Sequence, residues 1–161
     1  MHGNTPVIKR YGWSSILPQL IVFLMIMIVI RKLSGGYSVS EAMLPSVLIY
    51  IALSIGLRHG LIHSHRRGVK LIRRGMFRDA IPFFEKSYSF FSKHPQLDKW
   101  RYVALMSVSA ISYKEMALCN IAFCYARIGD REASRGYYEK ALSEFPESIL
   151  AKSALDIFKT L

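Results

Sequence analysis

Apolar residues along this chain form two nearly unbroken blocks, followed by a longer region in which they recur every three or four positions. From Tyr11 to Ile30 no residue is charged, and Leu20 to Ile30 is a continuous run of Leu, Ile, Val, Phe and Met. A helix of that length spans roughly 30 Å, the thickness of a bilayer's hydrocarbon core. Lys9 and Arg10 precede the block, Arg31 and Lys32 follow it, and Tyr11 and Trp13 are placed as interfacial aromatics. Pro18 lies near its start, where a kink costs little. A cleaved signal peptide fits poorly, because the apolar block is too long and Leu33-Ser34-Gly35-Gly36 is a poor cleavage site.

The second block, Ala42 to Leu57, has 16 residues and no charge. Ser38-Val39-Ser40-Glu41 has the form of a capping box opening a helix there, and Pro45 falls within its first turns. Such a helix crosses a bilayer if Ser40-Glu41 or Arg58-His59 sit at the interfaces or the bilayer thins slightly. The competing reading is a buried or interfacial helix. The short Gly-Gly connection suits a tight hairpin.

Beyond residue 58 the periodicity becomes helical. Leu118, Ile121, Ala122 and Tyr125 share one helix face. Gly129 is placed to end that helix in a left-handed turn and Asp130 to cap the next. Tyr137, Tyr138, Ala141 and Leu142 return onto the first helix, and Pro146 stops the pair. Ser112-Tyr113-Lys114-Glu115 is a second capping box. In Gln96 to Ile111, Asp98 is a candidate cap for a short helix carrying Trp100, Val103, Ala104, Ser107, Val108 and Ile111, and a strand over Val103–Val108 is an alternative. Ile149, Leu150, Ala154, Leu155, Ile157 and Phe158 predict a final amphipathic helix.

The stretch ALCNIAFCYARIGDREASRGYYEKALSEFP resembles one unit of the tetratricopeptide repeat family, with Leu118, Ile121, Ala122, Tyr125, Gly129, Asp130, Tyr138, Ala141 and Pro146 at the pattern's spacings. Ser134 replaces its usual small Ala. A weaker unit ends in RRGMFRDAIPFFEKSYSFFSKHP, where Gly68, Gly75, Ala80, Phe84 and Pro95 echo the pattern. Ser64, Arg67, Leu71 and Ser87 depart from it. The expected fold is all-α: a two-helix transmembrane hairpin followed by a short repeat-like array. Its parts are a tail 1–10, a hairpin 11–57 with helices at about 11–30 and 41–57, and a helical domain 58–161. That domain divides into a weak unit at about 61–95, an inserted segment 96–111, a strong unit 113–146 and a capping helix 147–160. The chain also resembles a loose group of small bacterial proteins built as a membrane hairpin plus a short repeat domain, which implies an architecture and a bacterial inner-membrane location.

In the repeat family, the first helices of successive units line a groove that binds peptides. The resemblance places Cys119, Asn120, Phe123 and Arg127 on that groove, with His65, Arg66, Val69 and Arg73 as counterparts. Asn120 would hold a ligand backbone and Phe123 would supply apolar area. Arg66, Arg73 and Arg127 would favour an acidic protein partner. The competing reading packs Phe123 on the inserted segment and leaves the arginines solvated.

Charge sharpens the topology. Lys and Arg number 22 against 11 acids, a net charge of +11, and residues 58–94 alone carry +7. Arg58, Arg66, Arg67, Lys70, Arg73, Arg74 and Arg78 stand together without an acid among them. The positive-inside rule then places the N-terminus and the helical domain in the cytoplasm. Arg58, Arg66, Arg67, Lys70, Arg73 and Arg74 are candidate contacts for anionic lipid headgroups, each worth about 1 kcal/mol near the surface. Nucleic-acid binding lacks an aromatic platform and is not expected.

Candidate chemistry is sparse. His59, His63 and His65 form a cluster, with His59 and His63 spaced as two metal ligands could be, but cationic neighbours oppose a divalent ion and a hydrated cluster is favoured. Cys119 and Cys124 point in different directions on one helix and suit buried small side chains. No phosphate loop or nucleophile set can be assembled. The expectation is therefore a membrane adaptor without catalysis, metal or cofactor, using its helical domain to bind protein. A structural accessory subunit assembled through its hairpin is the alternative, and self-association is open because about three repeats are normally needed to bury a repeat core.

Overall fold

A computed structural model of the chain describes residues 16–104, 109 and 111–160, and every described element is helical. In chain order these are α1 (Ile16–Leu33), α2 (Val39–Leu61), α3 (His63–Arg73), α4 (Phe77–Lys93) and α5 (Pro95–Lys99). Then come α6 (Arg101–Ala104), α7 (Tyr113–Arg127), α8 (Arg131–Glu144) and α9 (Ile149–Thr160). They divide into two compact units, one built on 16–62 with 99–104, the other on 63–98 with 111–160.

The first unit is a hairpin of α1 and α2, both long and apolar enough to cross a membrane. Its seam is narrow. Ala42 and Ser46, one turn apart on α2, are fully buried, and the Ser46 hydroxyl donates to the Ala42 carbonyl at 2.6 Å. Tyr50 continues that line, its ring edge-on to Phe23 and its hydroxyl donating to Gln19 Oε1 at 3.2 Å. Small residues at a seam let two helices approach closely. The outer faces, among them Leu17, Met25, Val29, Leu44, Leu48 and Ile55, are exposed. At the start of α2 both halves of the expected capping box are present: the Ser38 hydroxyl accepts from the Glu41 amide, and the Ser38 amide donates to the Glu41 carboxylate at 2.8 Å.

The second unit packs α3 on α4, α4 on α7, α7 on α8 and α8 on α9. Two of its turns close alike. Gly75 (φ 77°) follows α3 and Gly129 (φ 88°) follows α7. The next amide in each case donates five residues back, Met76 to Leu71 and Asp130 to Tyr125, both at 3.0 Å. A left-handed residue satisfies the last helical carbonyls in this way, and glycine adopts it without a Cβ penalty. One core holds Ile72, Ala80, Ile81, Phe84, Ile121 and Cys124, and another holds Leu118, Cys119, Ala141 and Ala151.

The inserted segment differs from its expected form. Its described part is two short helical pieces, α5 and α6, and residues 105–108 and 110 lie outside the described chain, so the choice between helix and strand there falls outside it too. Asp98 does not begin a helix of its own. Its buried carboxylate accepts from the backbone amides of Tyr113 at 2.8 Å and Lys114 at 3.0 Å, which makes it a cap on α7. Ser112 adds the next bond, accepting from the Glu115 amide at 3.0 Å.

Candidate functional site

The residues assigned to a groove do not all reach one surface. Phe123, half-buried on α7, meets the ring of Phe77 edge-on at 5.9 Å. The exposed guanidinium of Arg127, one turn further along α7, lies 5.1 Å from that same Phe77 ring. Phe77 therefore joins Phe123 and Arg127 into one aromatic–cation cluster across α4 and α7. Sequence reading missed Phe77, and the available signal was its position immediately after the Gly75-Met76 turn. Phe123 packs on α4, where the competing sequence reading had set it against the inserted segment. Asn120 is half-buried on the same helix.

Cys119 lies elsewhere. It is buried against Ala141 and Ala151, so α9 covers a position that the repeat pattern assigns to a groove. Burial pushes its thiol up to about 12, with Glu115 adding to the shift against a bond from Ser148. Cys124 is pushed up to about 12 by burial as well. Both are free thiols. Thiols held protonated in this way are poor nucleophiles.

His65 also departs from expectation, which put it in a hydrated cluster or on the groove. It is buried beneath α4 and α7, edge-on to Phe84 at 5.3 Å and to Tyr113 at 5.4 Å. Its Nδ1 lies 3.2 Å from the Ser87 hydroxyl. Burial pushes its pKa down to about 4. His63, two residues earlier, is exposed, so the two rings belong to different environments.

The basic residues lie on the opposite side of α3. His65, Gly68 and Ile72 face inward, whereas Arg66, Arg67, Lys70 and Arg73 are exposed, as is Arg74 just beyond the helix. Among the described residues none of these five pairs with a carboxylate. Arg67 lies over the Phe83 ring at 5.0 Å. The side chain of Arg58 lies outside the described residues. Among the described residues, neither Arg66 nor Arg73 makes a cation–π contact with the rings of Phe77 or Phe123.

A polar network links α4, α7 and α8 within the second unit. Glu144 on α8 takes a 2.7 Å ion pair from Lys114 on α7 and a 2.6 Å hydrogen bond from the Tyr88 hydroxyl on α4. Burial opposes its charge, but the bonds from Lys114 and Tyr88 outweigh that and hold its carboxyl below the ordinary range. The ammonium of Lys140 lies 4.5 Å from the Tyr88 ring centre. Scanned against protein-family models, the chain matches none, and it matches neither a curated protein nor a solved structure.

Proposed function

We propose that this chain is a membrane-anchored adaptor whose helical domain binds protein. The observation that carries the reading is the cluster of Phe77, Phe123 and Arg127, where half-buried rings underlie an exposed guanidinium. Aromatic and arginine side chains of this kind dominate the energetics of protein interfaces. Its occupant would be an acidic or aromatic segment of a partner protein. The pairs α3–α4 and α7–α8 would act as two tetratricopeptide-like units, with α9 closing the array.

In this reading the hairpin crosses the bilayer, and lipid covers the apolar faces that α1 and α2 leave exposed. The N-terminus and the helical domain are cytoplasmic, on the inner membrane of a bacterium. The cationic face of α3 begins two residues after α2 ends and would rest against anionic headgroups.

The test is a pull-down from detergent, read by mass spectrometry, with the full chain and its Asn120→Ala/Phe123→Ala/Arg127→Ala variant. A partner held by the first and lost by the second, with helicity equal by circular dichroism, is the expected result. Partners retained by both would move the interface away from α7. The exposed faces of the hairpin also favour a second reading, an accessory subunit assembled laterally in the membrane. Replacing α1 and α2 with an unrelated hairpin would then abolish assembly, whereas an adaptor would keep its partner.

A further inference from the structure

We propose that Lys99–Tyr102 is a second membrane anchor, an aromatic and cationic strap that seats at the headgroup level of the bilayer beside the hairpin. The proposal rests on the hairpin crossing a bilayer, as argued above. Residues 99–104 and Ser109 leave the helical unit and join the hairpin's compact unit, although the hairpin itself ends at Ile62. Within that unit α6 packs against α1. A segment in contact with a helix whose outer face is apolar lies within the bilayer or at its edge.

The composition of the strap selects the edge. Trp100 immediately precedes α6 and is 60% exposed, a large aromatic surface that water would solvate poorly. An indole has an apolar body and one N–H donor, and this combination concentrates tryptophan at membrane–water interfaces. Tyr102 is half-buried and has the same character. Lys99, exposed and immediately before Trp100, is the cation placed for headgroups, since a long cationic side chain at this depth lays its stem on the acyl region and its head among phosphates. Asp98, the nearest acid, directs its carboxylate to the backbone amides of Tyr113 and Lys114.

The strap is also held in shape. Arg101 lies 4.8 Å from the centre of the Tyr102 ring, and its Nη2 donates to the Tyr102 hydroxyl at 3.3 Å. Its Nε donates to the Ser109 carbonyl at 2.9 Å. An ordered strap loses less conformational entropy on meeting the bilayer than a free one. Together with the link from α2 to α3, it would tether the helical domain to the membrane at two separate points of the chain.

The chain has two tryptophans, Trp13 and Trp100, so Trp13→Phe makes Trp100 the sole indole probe. This full-length variant is reconstituted into vesicles of phosphatidylcholine and phosphatidylglycerol, with nitroxide-labelled lipids carrying the label either just below the headgroup or near the acyl terminus. Trp100 emission should be blue-shifted, sheltered from iodide, and quenched several-fold more by the shallow label than by the deep one. Carbonate extraction of the same vesicles reports on the hairpin independently. A chain that resists extraction while Trp100 is open to iodide and indifferent to both labels overturns the anchor alone, and stronger quenching by the deep label overturns the interfacial placement. A chain released by carbonate overturns the membrane reading and the anchor with it.

Discussion

Gly68 on α3 and Phe84 on α4 approach so closely that a Cβ on the glycine would stand 2.8 Å from the phenyl ring. Phe84 is fully buried and also packs edge-on against His65, so the ring has little room to retreat. In an open helix, replacing glycine by alanine stabilises by about 1 kcal/mol. Here the overpacking cost of about 1–3 kcal/mol should outweigh that gain. Gly68→Ala is therefore expected to lower the urea midpoint of the detergent-solubilised protein. A rise in the midpoint would show that α3 and α4 do not pack at this distance.

Asp98 should behave as a helix cap although it lies 15 residues before Tyr113, the first residue of α7, whose backbone amide donates to its carboxylate. Asp98→Ala removes two charge-assisted bonds to buried or half-buried amides and is expected to cost about 1–3 kcal/mol. Asp98→Asn keeps one carbonyl acceptor and should cost less. Urea titrations of the two variants beside the parent give the ranking, and equal stability of Asp98→Ala and the parent would remove the cap.

Ser134 makes the opposite prediction. It is fully buried on α8, and its hydroxyl has no hydrogen-bond partner among the described residues. An unsatisfied buried hydroxyl costs about 1–3 kcal/mol, and alanine is also the better helix former. Ser134→Ala should raise the thermal midpoint. A lower midpoint would mean that the hydroxyl has a partner, such as a buried water.

These residues also mark how far the sequence could be read. The hairpin helices, the Ser38–Glu41 box and the glycine turns at Gly75 and Gly129 were all legible, because each depends on residues within a turn or two of one another. The destinations of His65 and Asp98 were not, and for Cys119 burial was legible but not the helix that buries it. His65 sits beside Arg66 and Arg67, so local polarity marks it as solvated, and only the approach of α4 and α7 buries it. Cys119 is enclosed by α9, and Asp98 is drawn to amides on a helix that begins after the insertion. Periodicity identifies which residues share a face, whereas these three depend on which distant element covers that face. Phe77 was missed for the same reason: its partners Phe123 and Arg127 lie on α7.

The two cysteines should be chemically silent in the folded protein. Both are buried, and burial pushes both thiols up to about 12. At neutral pH the thiolate fraction needed for alkylation is then very small. Iodoacetamide should leave both unmodified in the detergent-solubilised chain and label both after denaturation, as read by intact mass. Rapid native labelling of Cys119 would show that α9 opens.

His65 gives the stability a pH dependence whose sign is fixed by its surroundings. Phe84, Ser87 and Tyr113 stand around the ring, and none carries a charge at neutral pH. Burial lowers its pKa from 6.5 to about 4 in the folded protein. Between those values the unfolded chain binds a proton that the folded chain refuses, so stability falls as pH drops through that window. Above it the ring is neutral in both states and costs nothing, and below it both states are protonated and the loss levels off. The full change would be about 3 kcal/mol. His65→Gln does not titrate yet retains a polar group for Ser87, so it should lose less stability than the parent on acidification. His63 and His94 are exposed and remain in both proteins, so they cancel in the comparison. Urea midpoints measured from pH 7.5 to 4 would give the two slopes, and parallel slopes would place His65 in water rather than beneath α4 and α7.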